Sequence, residues 1–236
     1  MVVQALLFDV FGTVVDWRTS LIGRFQRLGE ENHLTADWAG LVDDWRAEYE
    51  PAMASVRSGQ RSWTSLEVLH RESLEKLLPR YGLGASAMTD ALKAEMVLGW
   101  HLLDPWPDAV AGLARLKAKF IIGTLSNGSF RLLTDMAKYA GLGWDAVLCS
   151  DLFRRYKPDP AVYLGAAELL DTAPENIMLV AAHNYDLAAA RTCGYKTGFV
   201  ARPKEYGPRQ KKDFKAEAAW DVIANDFNDL AARLGA

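Results

Sequence analysis

The chain has two cysteines among its 236 residues and no long apolar run. Two cysteines, Cys149 and Cys193, are too few for a disulfide framework, so we expect two buried thiols and a reducing, cytoplasmic environment. No stretch approaches the roughly 20 apolar residues that a membrane-spanning helix requires. The segment before Ala5 lacks the basic region and long apolar stretch of a signal peptide. These absences exclude a disulfide-stapled secreted fold.

An excess of basic charge is also lacking. The formal net charge is −3, with 27 Lys and Arg against 30 Asp and Glu, and the basic residues are scattered. This balance gives no sign of a partner that is a nucleic acid or a membrane surface. Half of the chain is apolar, which is enough for a sizeable core in one large domain or in a core with a smaller insert.

Short apolar runs alternate with helical patterns along most of the chain. The runs predicted as buried strands are Ala5–Phe8, Phe120–Leu125, Ala146–Cys149, Ile177–Ala181, Thr197–Val200 and Val222–Ala224. The predicted helices between them include Pro107–Lys117, Ser129–Ala140, Ala161–Leu170 and Asp186–Cys193. Strand–helix alternation predicts a parallel sheet covered by helices on both faces, with its chemistry beyond the carboxyl ends of the strands.

The segment from about Trp17 to Trp100 breaks this alternation, because it carries helical periodicity without a convincing strand. We interpret it as a helical cap inserted after the first strand, over the active-site edge. Within it, a helix is predicted from Asp37 to Tyr49, ending near Pro51, with a turn at 57–60.

The first two strand-end loops carry polar groups that suit anionic chemistry. Asp9 ends a hydrophobic strand in the run FDVFGT at 8–13, where neighbouring N–H groups keep a carboxylate ionised and nucleophilic, or hold an anion. Ser126 and Asn127 offer a hydroxyl and an amide at the start of the next helix. Each loop has a structural alternative: Asp9 caps a turn, and Ser126 or Asn127 caps a helix.

The next two loops add a cation and a second carboxylate. In the run YKPDPAVY at 156–163, two prolines rigidify the chain and fix where Lys157 points, so that its ammonium offsets the charge of converging anions. In AAHNYD at 181–186, Asp186 lies beside a histidine and an asparagine. A surface lysine and a helix-capping aspartate are the alternatives. Four such signals at successive strand ends together favour a catalytic site.

The order of Asp9 with Thr13, then Ser126–Asn127, Lys157 and Asp186, resembles the four motifs of the haloacid dehalogenase superfamily over essentially the whole chain. The resemblance implies an α/β fold: a Rossmann-like, doubly wound parallel sheet with an inserted α-helical cap. We assign residues 1–15 and 101–236 to the catalytic core and residues 16–100 to the cap.

Most members of that superfamily are Mg²⁺-dependent phosphatases, which carry acids at two positions where this chain has none. The general acid two positions after the nucleophile is replaced by Phe11, which has no proton to transfer. The metal-ligating acid four positions before Asp186 is replaced by Ala182. Because Mg²⁺ requires hard oxygen ligands, these replacements argue against metal-assisted phosphoryl transfer, and we predict neither metal nor other cofactor.

The chain has a closer resemblance to the metal-free (S)-2-haloacid dehalogenases. The runs DVFGT at 9–13, LSNGS at 125–129 and YKPDPAVY at 156–163 match their signatures, and DWRAEY at 44–49 resembles the segment whose arginine grips the halide. Arg46 on a solvated helix face is the alternative. Two departures concern Phe11, where the family usually has tyrosine, and His183, where it has an amide; His183 either aids proton transfer or supports the site by hydrogen bonding.

The resemblance implies that the nucleophile displaces a halide from carbon 2 of a haloacid and that water then cleaves the resulting ester. The expected catalytic residues are Asp9, Lys157, Asp186, His183 and Arg46. The expected substrate-binding residues are Phe11, Ser126, Asn127, Trp45 and Thr13, with Trp63 as a further candidate for the apolar wall. The expected partners are a halogenated carboxylate, the halide product and, through cap helices, a second copy of the chain. A phosphatase or phosphonatase, and a catalytically silent carboxylate- or protein-binding member, are the alternatives.

Overall fold

The structure, a computed structural model, describes residues 3–85, 87–208 and 210–236. Met1 and Val2, part of the segment considered above as a signal peptide, lie outside the described residues. A six-stranded parallel sheet forms the centre, with strand order β3-β2-β1-β4-β5-β6. The strands are β1 (Ala5–Phe8), β2 (Ile121–Ser126), β3 (Ala146–Cys149), β4 (Ile177–Ala181), β5 (Lys196–Val200) and β6 (Val222–Ala224). The predicted α/β fold and its strands are confirmed, with β2 and β5 differing by one residue at their bounds.

Helices precede and follow the strands as the alternation predicts. The helices after the first strand are α1 (Trp17–Glu31), α2 (Trp38–Arg57), α3 (Leu66–Leu77) and α4 (Asp90–Leu98). Those between and after the later strands are α5 (Ala109–Lys117), α6 (Phe130–Ala140), α7 (Ser150–Phe153), α8 (Pro160–Leu169), α9 (Asn184–Thr192) and α10 (Phe227–Arg233). Short 3₁₀ turns occupy Leu78–Tyr81, Gly99–His101 and Pro174–Asn176.

The central strand β1 explains why an unbroken apolar run marks a parallel sheet. Its four side chains are completely buried, because β2 and β4 flank the strand and helices cover both faces. Leu6 and Phe8 enter the apolar cluster on one face, whereas Ala5 and Leu7 enter the cluster on the other. The strand therefore delivers the next residue, Asp9, to the edge of a rigid, fully covered sheet.

The helical segment α1–α4 packs its apolar side chains into one of these clusters. Trp17, Trp45 and Trp100 are fully buried there and share the cluster with Leu6 and Phe8 of the sheet. Large aromatic surfaces thus hold the inserted helices against the sheet. The division into a core and a separate cap domain stays a prediction.

The prediction that a helix ends near Pro51 is wrong, because α2 continues through Pro51 to Arg57. Tyr49 and Met53 are buried on either side of the exposed proline, and their burial outweighs the roughly 3 kcal/mol that an interior proline costs a helix. The predicted turn follows directly, with Gly59 at φ +77°. Arg46 and Arg57 consequently project from one continuous helix.

Both cysteines are free thiols, and Cys149 is buried as expected, but Cys193 is half-buried because it lies at the exposed end of α9. Among the helices that the structure describes, none combines the length and the apolar character needed to cross a membrane.

Candidate active site

The loops after β1, β2 and β4 meet at one edge of the sheet, because the carboxyl ends of parallel strands point the same way. They bring Asp9, Asn127 and His183 together, and the segment between α7 and α8 inserts Lys157 between them. These four residues are almost completely buried, with between 2% and 7% of their surface exposed. The residues singled out at successive strand ends therefore form one site.

Asp9 is held by three hydrogen-bond donors. Its Oδ1 accepts from Lys157 Nζ at 3.1 Å, and its Oδ2 accepts from Thr13 Oγ1 at 2.8 Å and lies 2.9 Å from His183 Nδ1. Burial alone would raise the pKa of Asp9, but the Lys157 charge and the His183 hydrogen bond outweigh it and hold the pKa well below its ordinary value. The carboxylate is therefore ionised and, because it is buried, poorly hydrated.

Lys157 and Asp186 form a buried ion pair next to Asp9. Lys157 Nζ donates to Asp186 Oδ2 as well as to Asp9, and the Tyr163 hydroxyl donates to Asp186 Oδ1 over 2.6 Å. Burial by itself would lower the pKa of Lys157, but the two carboxylates raise it above its ordinary value. The interpretation of Lys157 as a surface lysine and of Asp186 as a helix cap is thus not what the structure shows.

His183 joins Asp9 to a carboxylate that sequence reasoning missed. Its Nε2 lies 3.0 Å from Oε2 of Glu205, which is fully buried and also accepts from Trp17 Nε1 at 3.1 Å. Burial opposes protonation of the imidazole, but the Glu205 charge and the hydrogen bonds to both carboxylates raise the pKa of His183 to about 10. In the free protein the ring is therefore an imidazolium between two carboxylates.

Ser126 and Asn127 shape the loop after β2. Ser126 Oγ accepts from the Gly128 N–H at 3.3 Å, and Asn127 Oδ1 accepts from the Lys157 N–H at 2.7 Å. Helix α6 is capped by Ser129, whose Oγ accepts from Leu132 N at 3.1 Å, so neither predicted residue is the cap. Asn127 instead positions the Lys157 backbone.

Arg46 packs among several aromatic rings, one of which belongs to Phe11 in the loop that follows Asp9. The Arg46 guanidinium stacks over Tyr49, 4.3 Å from the ring centre, and over Trp17 at 5.5 Å. Phe11 packs edge-on against Tyr49 and Trp100, with ring centres 6.2 and 5.9 Å apart. Among the described residues, the buried Nε of Arg46 has no hydrogen-bond partner. An unpaired buried donor beside an apolar wall suits a weakly hydrated anion.

A cavity of about 330 Å³ opens next to these groups. It is lined by Arg46, Tyr49, Glu50, Arg57, Pro158, Tyr185, Tyr206 and Lys212. Tyr185 stacks on His183 with ring centres 5.8 Å apart, and Pro158 follows Lys157, so the cavity adjoins the buried cluster. Its cationic lining suits a small carboxylate.

The two tryptophans predicted for the apolar wall, Trp45 and Trp63, have other aromatic rings as neighbours. Trp45 packs between Phe25 and Trp100, which separates it from Phe11, and its indole N–H donates to the His70 carbonyl at 3.1 Å. Trp63 instead packs on the Tyr156 ring, 4.9 Å between centres. Their contact with a substrate stays a prediction.

The donor set does not fit Mg²⁺. The ammonium of Lys157 lies between the Asp9 and Asp186 carboxylates, Phe11 and Ala182 offer no side-chain oxygen, and the Ala182 N–H donates to Thr13 Oγ1 at 2.9 Å. Over residues 3–85, 87–208 and 210–236, no three His, Cys, Asp or Glu side chains are arranged to hold a metal ion. Too few carboxylate oxygens therefore remain free to bind a hard divalent cation.

Sequence reasoning missed three residues, one in a loop that was not considered and two inside motifs whose other residues received the roles. Glu205 lies in the loop after β5, so the strand-end argument extended to a fifth strand would have marked it. Tyr163 lies within the run YKPDPAVY but received no role. Tyr49, three residues after Arg46, shares its helix face.

Comparisons with known proteins show what this chain is similar to. A family model described as haloacid dehalogenase-like hydrolase matches residues 3–194. The (S)-2-haloacid dehalogenase 1 of Pseudomonas sp. (strain CBS-3) is 29% identical over 210 residues, covering 86% of this chain and 88% of that protein. The crystal structure of the L-2-haloacid dehalogenase PA0810 has a TM-score of 0.95 at 53% identity, covering 99% of both chains. That of the defluorinating L-2-haloacid dehalogenase Rha0230 has a TM-score of 0.96 at 46% identity, covering 99% of this chain and 96% of the other.

Proposed function

Because the chain belongs to the haloacid dehalogenase-like hydrolases, we propose that it hydrolyses the carbon–halogen bond of (S)-2-haloacids or haloacetates to give 2-hydroxy acids. Relatives named (S)-2-haloacid dehalogenase and the two similar L-2-haloacid dehalogenase structures support this substrate class. The observation that carries the proposal is the ionised, buried carboxylate of Asp9 in a site whose donor set does not fit a metal.

Asp9 is the nucleophile of the proposed first step. One of its carboxylate oxygens attacks carbon 2 of the substrate from behind, the carbon–halogen bond breaks, and an ester to Asp9 forms. Burial removes water from the carboxylate, and the bonds from Thr13 and Lys157 fix its direction, so that displacement gains from in-line geometry.

Two sets of groups bind the substrate. Ser126, Asn127 and neighbouring backbone N–H groups orient its carboxylate, in accordance with the position of their loop beside Lys157. Arg46 receives the halide, which the unpaired Nε and the adjacent rings of Phe11 and Tyr49 support. Thr13 and Lys157 keep the nucleophile in place throughout.

Water then attacks the ester carbonyl of Asp9, which releases the hydroxy acid and restores the carboxylate. Asp186 and His183 are the groups proposed to serve as the base, because each is joined to Asp9 through a short hydrogen-bonded path. Lys157 anchors Asp9 and Asp186 and offsets their charges.

The proposal is tested by halide release from chloro-, bromo- and fluoroacetate and from both 2-chloropropionate enantiomers, with and without EDTA. Fluoroacetate is included because a similar structure is described as defluorinating. We expect release from the (S) enantiomer that EDTA does not alter. Activity that collapses with EDTA and returns with Mg²⁺ would favour a phosphatase, and stabilisation by the haloacid without halide release would favour a silent binding protein.

The nucleophile is tested separately with Asp9→Asn and with ¹⁸O-labelled water. Single turnover in labelled water should place ¹⁸O in the Asp9 carboxylate, because water attacks that carbon and not carbon 2 of the substrate. Full halide release by Asp9→Asn, or label found only in the product hydroxyl, would refute covalent catalysis by Asp9.

We further propose a cytoplasmic location and a homodimer formed through the helices of residues 16–100. The low cysteine count supports a reducing compartment. Light scattering coupled to size exclusion measures the mass directly; a monomeric mass would contradict the dimer. Expression of residues 1–15 joined to 101–236 tests whether these form a core that is independent of the cap.

A further inference from the structure

We propose that His183, oriented by Glu205, is the base that activates water in ester hydrolysis, and that Glu205 is therefore a positioning residue of the reaction. This rests on the proposed function, in which an ester to Asp9 forms. An unbroken hydrogen-bonded path runs from Asp9 Oδ2 through both nitrogens of the His183 ring to the Glu205 carboxylate and supports this role.

Asp186 is poorly placed to take the proton. Both of its oxygens are engaged, Oδ1 by the Tyr163 hydroxyl at 2.6 Å and Oδ2 by Lys157 Nζ, and the side chain is completely buried. Its path to Asp9 passes through the Lys157 ammonium, which has no lone pair to accept a proton. Nδ1 of His183, in contrast, lies 2.9 Å from the reacting carboxylate itself.

The Glu205 carboxylate, like that of Asp9, is fixed by several contacts. Its Oε1 accepts from Trp17 Nε1 at 3.1 Å, and its two oxygens lie 3.1 and 3.0 Å from His183 Nε2. Gly12 leaves room for it, since a Cβ at that position would lie 2.1 Å from Glu205 Oε1. A carboxylate at Nε2 keeps a proton on that nitrogen and so leaves Nδ1 as the atom that exchanges a proton near Asp9.

Formation of the ester switches His183 from acid to base. In the free protein the imidazolium faces two carboxylates, Asp9 and Glu205; Tyr185 stacks on its ring, Lys157 faces Asp9, and Arg46 and Trp17 face Glu205. Esterification removes the Asp9 charge, so the imidazolium loses its Nδ1 proton to solvent. This is the one proton that hydrolysis of a haloacid to hydroxy acid and halide must release.

Hydrolysis of the ester then uses one water molecule, and His183 carries the protons. A water oxygen bonds to Cγ of Asp9 while its proton passes to His183 Nδ1. The tetrahedral intermediate breaks the bond between Cγ and the ester oxygen, and Nδ1 returns a proton to that oxygen, which leaves as the product hydroxyl. The Asp9 carboxylic acid finally gives its proton to His183, which restores the starting ion pair.

The test compares wild type with Glu205→Gln in single turnover of (S)-2-chloropropionate, measuring chloride release and the ester by intact-protein mass. We expect chloride release in the first turnover to continue and ester breakdown to slow by about 10- to 100-fold, the usual effect of removing an orienting partner. The ester should therefore accumulate. Glu168→Gln, an exposed change of the same type, is the matched control and should match wild type.

The pH profile separates positioning from a structural role. Because the Glu205 charge raises the affinity of His183 for protons, its removal should shift the profile of ester breakdown to lower pH. Equal slowing of chloride release and ester breakdown, with an unshifted profile, would overturn the inference. Unchanged ester breakdown in Glu205→Gln would also overturn the inference. In either case the proposed function would still stand.

If Glu205→Gln does not fold, judged by loss of a cooperative unfolding transition, the inference is tested with His183→Asn. This variant loses the base, and its ester breakdown should slow by about 100-fold or more. Rapid ester breakdown in His183→Asn would overturn the inference. Absence of chloride release and ester in wild type would instead refute the proposed function.

Discussion

The Thr13 hydroxyl bridges two of the strand-end loops, and its removal tests how much the site depends on this single atom. It donates to Asp9 Oδ2 over 2.8 Å and accepts from the Ala182 N–H over 2.9 Å. Thr13 is completely buried, so water cannot replace either bond. Thr13→Val keeps the shape of the side chain and removes only the oxygen's hydrogen bonding.

The size of the effect follows from these two bonds. A hydrogen bond to a charged group contributes about 1.5–3 kcal/mol, and a buried N–H without a partner costs about 1–3 kcal/mol. Asp9 keeps its bonds to Lys157 and His183, which reduces the first contribution. We therefore expect Thr13→Val to lower the free energy of unfolding by about 2–4 kcal/mol.

Urea unfolding followed by circular dichroism measures this loss, and Thr13→Ser is the matched control. The serine variant keeps the hydroxyl and loses one methyl group, which costs about 1 kcal/mol. First-turnover halide release should also fall in Thr13→Val but not in Thr13→Ser, because only the valine variant leaves Asp9 less firmly oriented. If the two variants differ by less than about 0.5 kcal/mol, the hydroxyl bridge does not stabilise the loops as argued.

Three further results are expected. Tyr163→Phe removes the donor to Asp186 Oδ1 and should lower the free energy of unfolding in urea by about 1.5–3 kcal/mol; a loss below about 0.5 kcal/mol would contradict the role of this bond. Arg46→Lys keeps the charge but loses the planar stacking on Tyr49, so chloride release should fall about tenfold, and an unaltered rate would remove Arg46 from the halide site. Burial lowers the pKa of His70 to about 3, below its ordinary value near 6.5, so its contribution to stability is present above pH 6.5 and is lost as the pH falls towards 3. His70→Phe should flatten the fall in unfolding free energy over that range, and an unchanged slope would contradict the argument.

Much of the site was predictable because it lies where short-range pattern and topology coincide. The apolar runs predicted the strands, and parallel strands place their carboxyl ends together, so Asp9, Asn127 and Asp186 were expected at one edge. The Pro51 prediction failed because local propensity opposed tertiary burial, and the buried Tyr49 and Met53 outweighed the proline. The neighbours of Trp45 and Trp63 could not be derived from the pattern, because rotation about the α2 axis decides what Trp45 contacts and the path of the loop between α2 and α3 decides what Trp63 contacts.

The sequence by itself predicted Asp9 as the nucleophile and Lys157 as its partner, and it showed that the phosphatase acids are missing at Phe11 and Ala182, because each point depends on residue type at a strand end. Only the tertiary structure decided that Glu205, 22 residues beyond His183, shares a hydrogen bond with it. The loop after β5 returns to the sheet edge and fills the space that Gly12 leaves open. Contacts of that kind depend on how loops pack in three dimensions, and no local spacing encodes them.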